Sequence, residues 1–179
     1  FITGPFNYAR QLTSGIDIDA AYSTKFGEDW RLNVRTLLSV LLSRDIFTSI
    51  TEPNRLTREK STLGNPEWNA QVNVTLGYKG IDLLYSFRYL SKMTVAGNWR
   101  TQNVEQGRAP ENLDAFPQVY YPAITYSDIR LTAKLFKGIS GYVGVDNIFD
   151  RLPPLDLVLG DGAGSAVYSN TGRFFYGGV

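Results

Sequence analysis

The sequence predicts an all-β chain: an antiparallel up-and-down transmembrane β-barrel segment of about seven strands. Three observations carry that expectation. Apolar residues recur with period two along the length of the chain, and no stretch carries a helical repeat. Short glycine-bearing turns alternate strictly with long polar connections. Several alternating runs are long, and their polar faces hold charges of both signs.

The clearest strand runs from Trp68 to Tyr78, where Trp68, Ala70, Val72, Val74, Leu76 and Tyr78 alternate with Asn69, Gln71, Asn73, Thr75 and Gly77. One face is wholly apolar and the other polar or small, as a strand between two unlike environments requires. Upstream, Ile16, Ile18, Ala20 and Tyr22 form one such run, and Trp30, Leu32, Val34, Thr36, Leu38 and Val40 form a second. Downstream come Ile81, Leu83, Tyr85, Phe87 and Tyr89, then Ile129, Leu131, Ala133 and Leu135, then Val143 and Val145. The last run, Arg173 to Val179, is aromatic and glycine-rich.

Tight turns are expected at Lys25 to Asp29, Tyr78 to Gly80 and Lys137 to Ile139, each with a glycine to supply a positive φ. Between them lie long segments from about Phe47 to Pro66, Val95 to Pro122 and Leu152 to Thr171. In a meander this order gathers the short turns at one end and the long loops at the other, the asymmetry of membrane barrels. Aromatics near strand ends (Tyr22, Trp30, Tyr78, Tyr89, Phe136, Tyr142) suit interfacial girdles. Seven strands cannot close an even-numbered barrel, so the chain is expected to be part of a larger one, unless a further strand lies near Phe6 to Gln11. The alternative is a soluble lipocalin-like β-barrel whose apolar face surrounds a small hydrophobic ligand, because period two alone does not distinguish lipid from core.

Composition removes other classes. The 179 residues carry 18 basic and 17 acidic side chains, a net charge of +1, with no histidine and no cysteine. A balanced chain without a basic block is a poor nucleic-acid binder. Without His or Cys there is no disulfide framework, no His- or Cys-ligated metal and no Ser-His-Asp or Cys-His nucleophile. The chain is therefore expected not to be an enzyme, and no cofactor is implied. No apolar run approaches the length of a transmembrane helix.

The C-terminal third narrows the reading. Gly144-Val145-Asp146-Asn147-Ile148-Phe149-Asp150, then Pro153-Pro154, a glycine-rich loop to Tyr168, and Gly172-Arg173-Phe174-Phe175-Tyr176-Gly177-Gly178-Val179 follow one another. This order resembles the C-terminus of TonB-dependent outer-membrane receptors. There a penultimate strand ends in a Val-x-Asn-Leu-Phe-Asp-like run, and a last strand opens with Gly-Arg and aromatics. Gly15-Ile16-Asp17-Ile18-Asp19 with Tyr22, and Asn65-Pro66 with Trp68, resemble further strand signatures of the family.

The resemblance implies that residues 1–179 form the C-terminal part of a plugged barrel of about 22 strands. The segment would be without the N-terminal plug domain, and without the closing aromatic residue that family members place just beyond the position of Val179. It also implies a Gram-negative outer-membrane location and active uptake of a scarce, bulky nutrient such as a ferric siderophore. The implied partners are outer-membrane lipid and, through the plug, the TonB complex.

Candidate ligand-contacting residues are Arg and aromatic side chains of the long loops: Arg55, Arg58, Trp99, Arg100, Arg108, Phe116, Tyr120 and Tyr121. Guanidinium forks suit carboxylate or catecholate oxygens, and aromatic rings stack on rings or sugar faces. Asp17 and Asp19 share a strand face and read as a lumenal pair neutralised by Arg31 or Arg35, rather than as a catalytic dyad. Gly160 to Gly164 reads as a flexible loop, and Asn147, Asp150 and Arg173 as structural residues at a strand terminus.

Overall fold

A computed structural model describes residues 9–94, 120–154 and 167–179. It is an antiparallel all-β structure. The long strands are β1 (Arg10–Phe26), β2 (Trp30–Phe47), β4 (Trp68–Tyr78), β5 (Ile81–Leu90), β8 (Ile124–Phe136), β9 (Ile139–Asp146) and β10 (Phe174–Gly178). They form one meander in the order β1-β2-β4-β5-β8-β9-β10. The short β3 (Thr57–Arg58) adds to β2, and β6 (Met93–Thr94) pairs with β7 (Tyr120–Tyr121) in a separate ribbon. Among the described residues β1 and β10 each pair along one side only, so the sheet is open.

The seven long strands are the seven alternating runs of the sequence, and two of them extend well past their apolar cores. β1 and β2 reach 17 and 18 residues. The periodicity of β1 hides its first third because the register slips between Ser14 and Gly15. Beyond that bulge the side chains change face. Gly15 sits at the slip because a Cβ there would lie 2.9 Å from the Val40 carbonyl oxygen. Of the Phe6 to Gln11 segment, Arg10 and Gln11 belong to β1.

The three short connections fall at one end of the sheet and the long ones at the other. Gly27, Gly80 and Gly138 have φ of 62°, 85° and 84°, a region where a side chain is strained. At this turn end Phe26, Trp30 and Tyr78 stand in register on three successive strands. Their ring centroids are 5.8 Å (Phe26–Trp30) and 4.5 Å (Trp30–Tyr78) apart.

Register divides the sheet into two faces. Ile18, Leu38, Ala70 and Tyr89 align across four strands, as do Leu32, Leu76, Leu83, Leu131 and Val143 across five. This apolar face is uncovered: Ile18 is 48% exposed, Leu131 41%, Val143 60% and Phe175 68%. The buried cluster lies elsewhere, at the loop end, where Leu90, Ile124 and Tyr126 of the opposite face pack with Met93, Tyr121 and Tyr168. A water-soluble sheet hides its apolar face and wets the polar one. Here the apolar face is left open as well as the polar one, where Arg35 and Asp19 are also exposed.

Candidate functional site

The polar face is organised by ion pairs and glycine-made slots. Asp19 accepts a two-pronged bond from Arg35 on β2, with Nε at 3.1 Å and Nη2 at 2.8 Å. Arg31 donates to both carboxylate oxygens of Asp82 at 2.6 and 2.7 Å. That pair spans β4, from β2 to β5, and Gly77 makes the crossing possible. A Cβ at Gly77 would fall 2.6 Å from an Asp82 oxygen and collide with the Arg31 side chain. The expected neutralisation of the aspartate pair thus comes from Arg35 onto Asp19, while Arg31 serves Asp82. The local signal for this crossing is a glycine in the last alternation of β4, between an arginine and an aspartate one strand to either side.

A second slot lies on β9. A Cβ at Gly144 would overlap the Tyr176 ring, which crosses over this position from β10. Tyr142 packs 6.2 Å from Tyr176, and the Arg130 guanidinium carbon stands 4.2 Å above the Tyr142 ring. Tyr142 therefore belongs to the polar face and not to an interfacial girdle. A single residue of register separates it from apolar Val143, and period two sends the two to opposite sides. Arg88 covers Tyr126 in the same way, at 4.6 Å.

Asn147 ties this face to the last loop. Its backbone N–H donates to Asp128 Oδ1 at 2.7 Å. Its side-chain Nδ2 donates to the carbonyls of Arg151 and Thr171 at 2.8 and 3.1 Å, and its Oδ1 accepts from the Arg151 N–H at 2.8 Å. Asn147 and Asp150 both have positive φ, 52° and 53°, which Asn and Asp tolerate better than other side chains. The Asp150 carboxylate then accepts the Arg173 N–H at 2.8 Å, fixing the start of β10. Arg173 contributes its backbone here. The Asp-Asn-Ile-Phe-Asp run is a knot that sets the position of β10 against β9 and β8.

Between this knot and β5 lies a cavity of about 650 Å³, lined by Gln71, Ser86, Arg88, Tyr126, Asp128, Asp146, Asn147, Ser169, Thr171 and Phe174 among others. It holds an arginine, two aspartates, amides and hydroxyls. Such a lining suits a polar, hydrogen-bonding solute or polypeptide segment. Of the described loop residues expected to contact ligand, Arg55, Arg58, Tyr120 and Tyr121, none lines it.

Those residues are distributed as follows. Arg55 is tied within its own loop to Glu52 at 3.0 Å, and Arg58 on β3 faces Asp45 of β2 at 3.7 Å. Tyr120 is half-buried, with the Lys92 ammonium 5.0 Å above its ring. Tyr121 is 3% exposed and packs 6.1 Å from Tyr168, a member of the buried cluster and not of an open surface. The loop carrying Arg55 and Arg58 and the ribbon carrying Tyr120 and Tyr121 are joined through the backbone, where the Thr94 N–H donates to the Ser61 carbonyl at 2.6 Å. Trp99, Arg100, Arg108, Phe116 and the Gly160 to Gly164 loop lie outside the described residues.

Burial among Tyr126 and Tyr121 pushes the Tyr168 phenol up to about 12, desolvation being the larger cause. Its hydroxyl has no hydrogen-bond partner among the described residues. Among those residues no group of His, Cys, Asp and Glu is arranged to hold a metal ion, and no helix is long and apolar enough to cross a membrane.

No protein-family model matches this chain, and none of the curated proteins matches it.

Proposed function

We propose that this chain is part of the wall of a transmembrane β-barrel of the TonB-dependent receptor type, in the outer membrane of a Gram-negative bacterium. One observation carries the reading: a mainly apolar face, with exposed apolar side chains on each of seven strands, backs a face of paired charges. Hydrocarbon is the solvent that suits the first face, and a wet lumen suits the second. Among the described residues β1 and β10 each have one unpaired edge, and in this reading further strands pair with them, because hydrocarbon cannot satisfy open backbone groups.

In this reading the chain does no chemistry of its own. Its long loops contact a bulky nutrient such as a ferric siderophore, and the polar face lines the path. Transport is driven by the TonB complex acting through a plug domain. The resemblance at Val145 to Asp150 and Gly172 to Tyr176 supports the choice of family. The knot at Asn147 gives those residues a reason to occur together.

The test uses the full-length protein. Extraction from membranes only in detergent, with loss of ferric-siderophore uptake on gene deletion, is the expected result. A detergent-free soluble monomer with a cooperative melt overturns the membrane reading in favour of a soluble carrier.

A further inference from the structure

At the loop end a second cavity opens on the outward, apolar side of the sheet. It has a volume of about 700 Å³, and its walls include Glu67, Trp68, Tyr89, Tyr120, Ser91 and Lys92. Trp68 and Tyr89 belong to the apolar face, since they align with Val40 and Ala70. The strand pair closes here: the Ser91 N–H donates to the Trp68 carbonyl, and the Ser91 hydroxyl accepts the Trp68 N–H at 3.0 Å. Lys92 projects over Tyr120, is exposed, and forms no ion pair among the described residues. The neighbouring lysine differs, because Lys60 is held by Glu67 at 3.0 Å.

The cavity is therefore aromatic-walled, carries the Lys92 ammonium beside a Glu67 carboxylate that Lys60 already neutralises, and adjoins the apolar face at Trp68 and Tyr89. Below Trp68 the same face continues through Ala70, Val72 and Val74, and below Tyr89 through Phe87 and Tyr85. A ligand that fills the groove and continues along this face has a charged head and an apolar tail. The sign of Lys92 makes that head anionic. Aromatic rings at such a boundary give the head a wet side and the tail a dry one.

We infer that this groove seats the anionic headgroup of a membrane lipid, with its phosphate on Lys92 and its acyl chains along Val72 and Phe87. The inference rests on the membrane-wall reading and names a partner for that wall. It places the lipid outside the barrel, distinct from the polar cavity behind Arg88.

Single-tryptophan variants of the detergent-solubilised full-length protein separate the two ideas. With only Trp68 retained, fluorescence is titrated with phosphatidylglycerol, phosphatidylcholine or soluble glycerol phosphate. The expected result is saturable binding of phosphatidylglycerol about fivefold tighter than phosphatidylcholine, the preference expected of one ammonium at an anionic headgroup. Lys92→Gln should reduce the preference below about twofold, and Lys92→Arg should retain it. Equal affinity for the two lipids, or an unchanged preference in Lys92→Gln, overturns the site. So does binding of glycerol phosphate without either lipid. With only Trp30 retained, quenching by brominated acyl chains reports contact of the apolar face with lipid. Loss of that quenching overturns the wall reading, whereas quenching without headgroup preference overturns the lipid site alone.

Discussion

The two faces of this sheet are built from the same strands and obey opposite rules. On the apolar face, neighbours are lateral: Ile18, Leu38, Ala70 and Tyr89 stand in register, Ile18 exposed and the other three half-buried. On the polar face, arginines and aspartates pair across strands, glycines at positions 77 and 144 open slots for neighbouring side chains, and the buried cluster forms. In the proposed membrane setting the apolar face gains its stability from the medium, while the polar face is stabilised by its own ion pairs. A hydrophobic surface of this extent is costly in water, and monomeric soluble proteins rarely expose one.

The largest effect should come from reversing that division at one residue. Val74→Lys puts an ammonium on the apolar face midway along β4, and should destabilise the bilayer-inserted protein by about 2–4 kcal/mol. Thr75→Lys, one residue away and on the other face, should cost less than about 1 kcal/mol. Denaturant titration of the protein folded into vesicles compares the two. Equal costs would abolish the distinction between the faces.

Asn147→Ala should come next, at about 2–3 kcal/mol. It strands the carbonyls of Arg151 and Thr171 and the N–H of Arg151 around a buried position. The loss should appear first as release of β10, read as faster amide exchange from Phe174 to Gly178 than in β4. Uniform exchange across both strands would show that the knot is not local.

Gly144→Ala sharpens the comparison further, because it overfills a slot on the polar face. The added methyl meets the Tyr176 ring, and a cost of about 1–2 kcal/mol is expected. Combining it with Tyr176→Ala should give a double variant more stable than the sum of the two single losses. Strict additivity would place the strain elsewhere.

The smallest effect concerns Tyr168 and appears only in alkali. With the native phenol near 12 and the unfolded one near 10, the unfolded chain loses this proton first as pH rises. The unfolded state then binds fewer protons than the native state, so stability falls between about pH 10 and pH 12 and is unaffected below that window. Tyr168→Phe should remove this contribution to the alkaline fall in Tm. It should also leave stability near neutrality within about 0.5 kcal/mol, since the hydroxyl has no partner among the described residues. An unchanged alkaline slope in the variant would show that Tyr168 ionises freely.

All seven long strands, the three tight turns and the neutralisation of Asp19 were legible along the chain, because alternation and turn glycines are local signals. The loop residues were not. Arg55 and Arg58 look like open recognition groups until Glu52 and Asp45 are seen beside them. Tyr121 looks like a stacking platform until it is found against Tyr168, which lies far along the chain. Lys92, absent from the predicted candidates, acquires interest only because its ammonium forms no ion pair among the described residues while that of Lys60 does.

By itself the sequence determined the strands, the sidedness of each and the order of short and long connections, because period two and glycine turns act over a few residues. Tertiary structure alone decided the register that joins those sides into one uncovered apolar face. It also decided the slots at Gly77 and Gly144, and which cations and anions meet in pairs. The physical reason is range. Face and turn are properties of adjacent residues, whereas an ion pair across β4 or a phenol buried between loops depends on residues that only the folded sheet brings together.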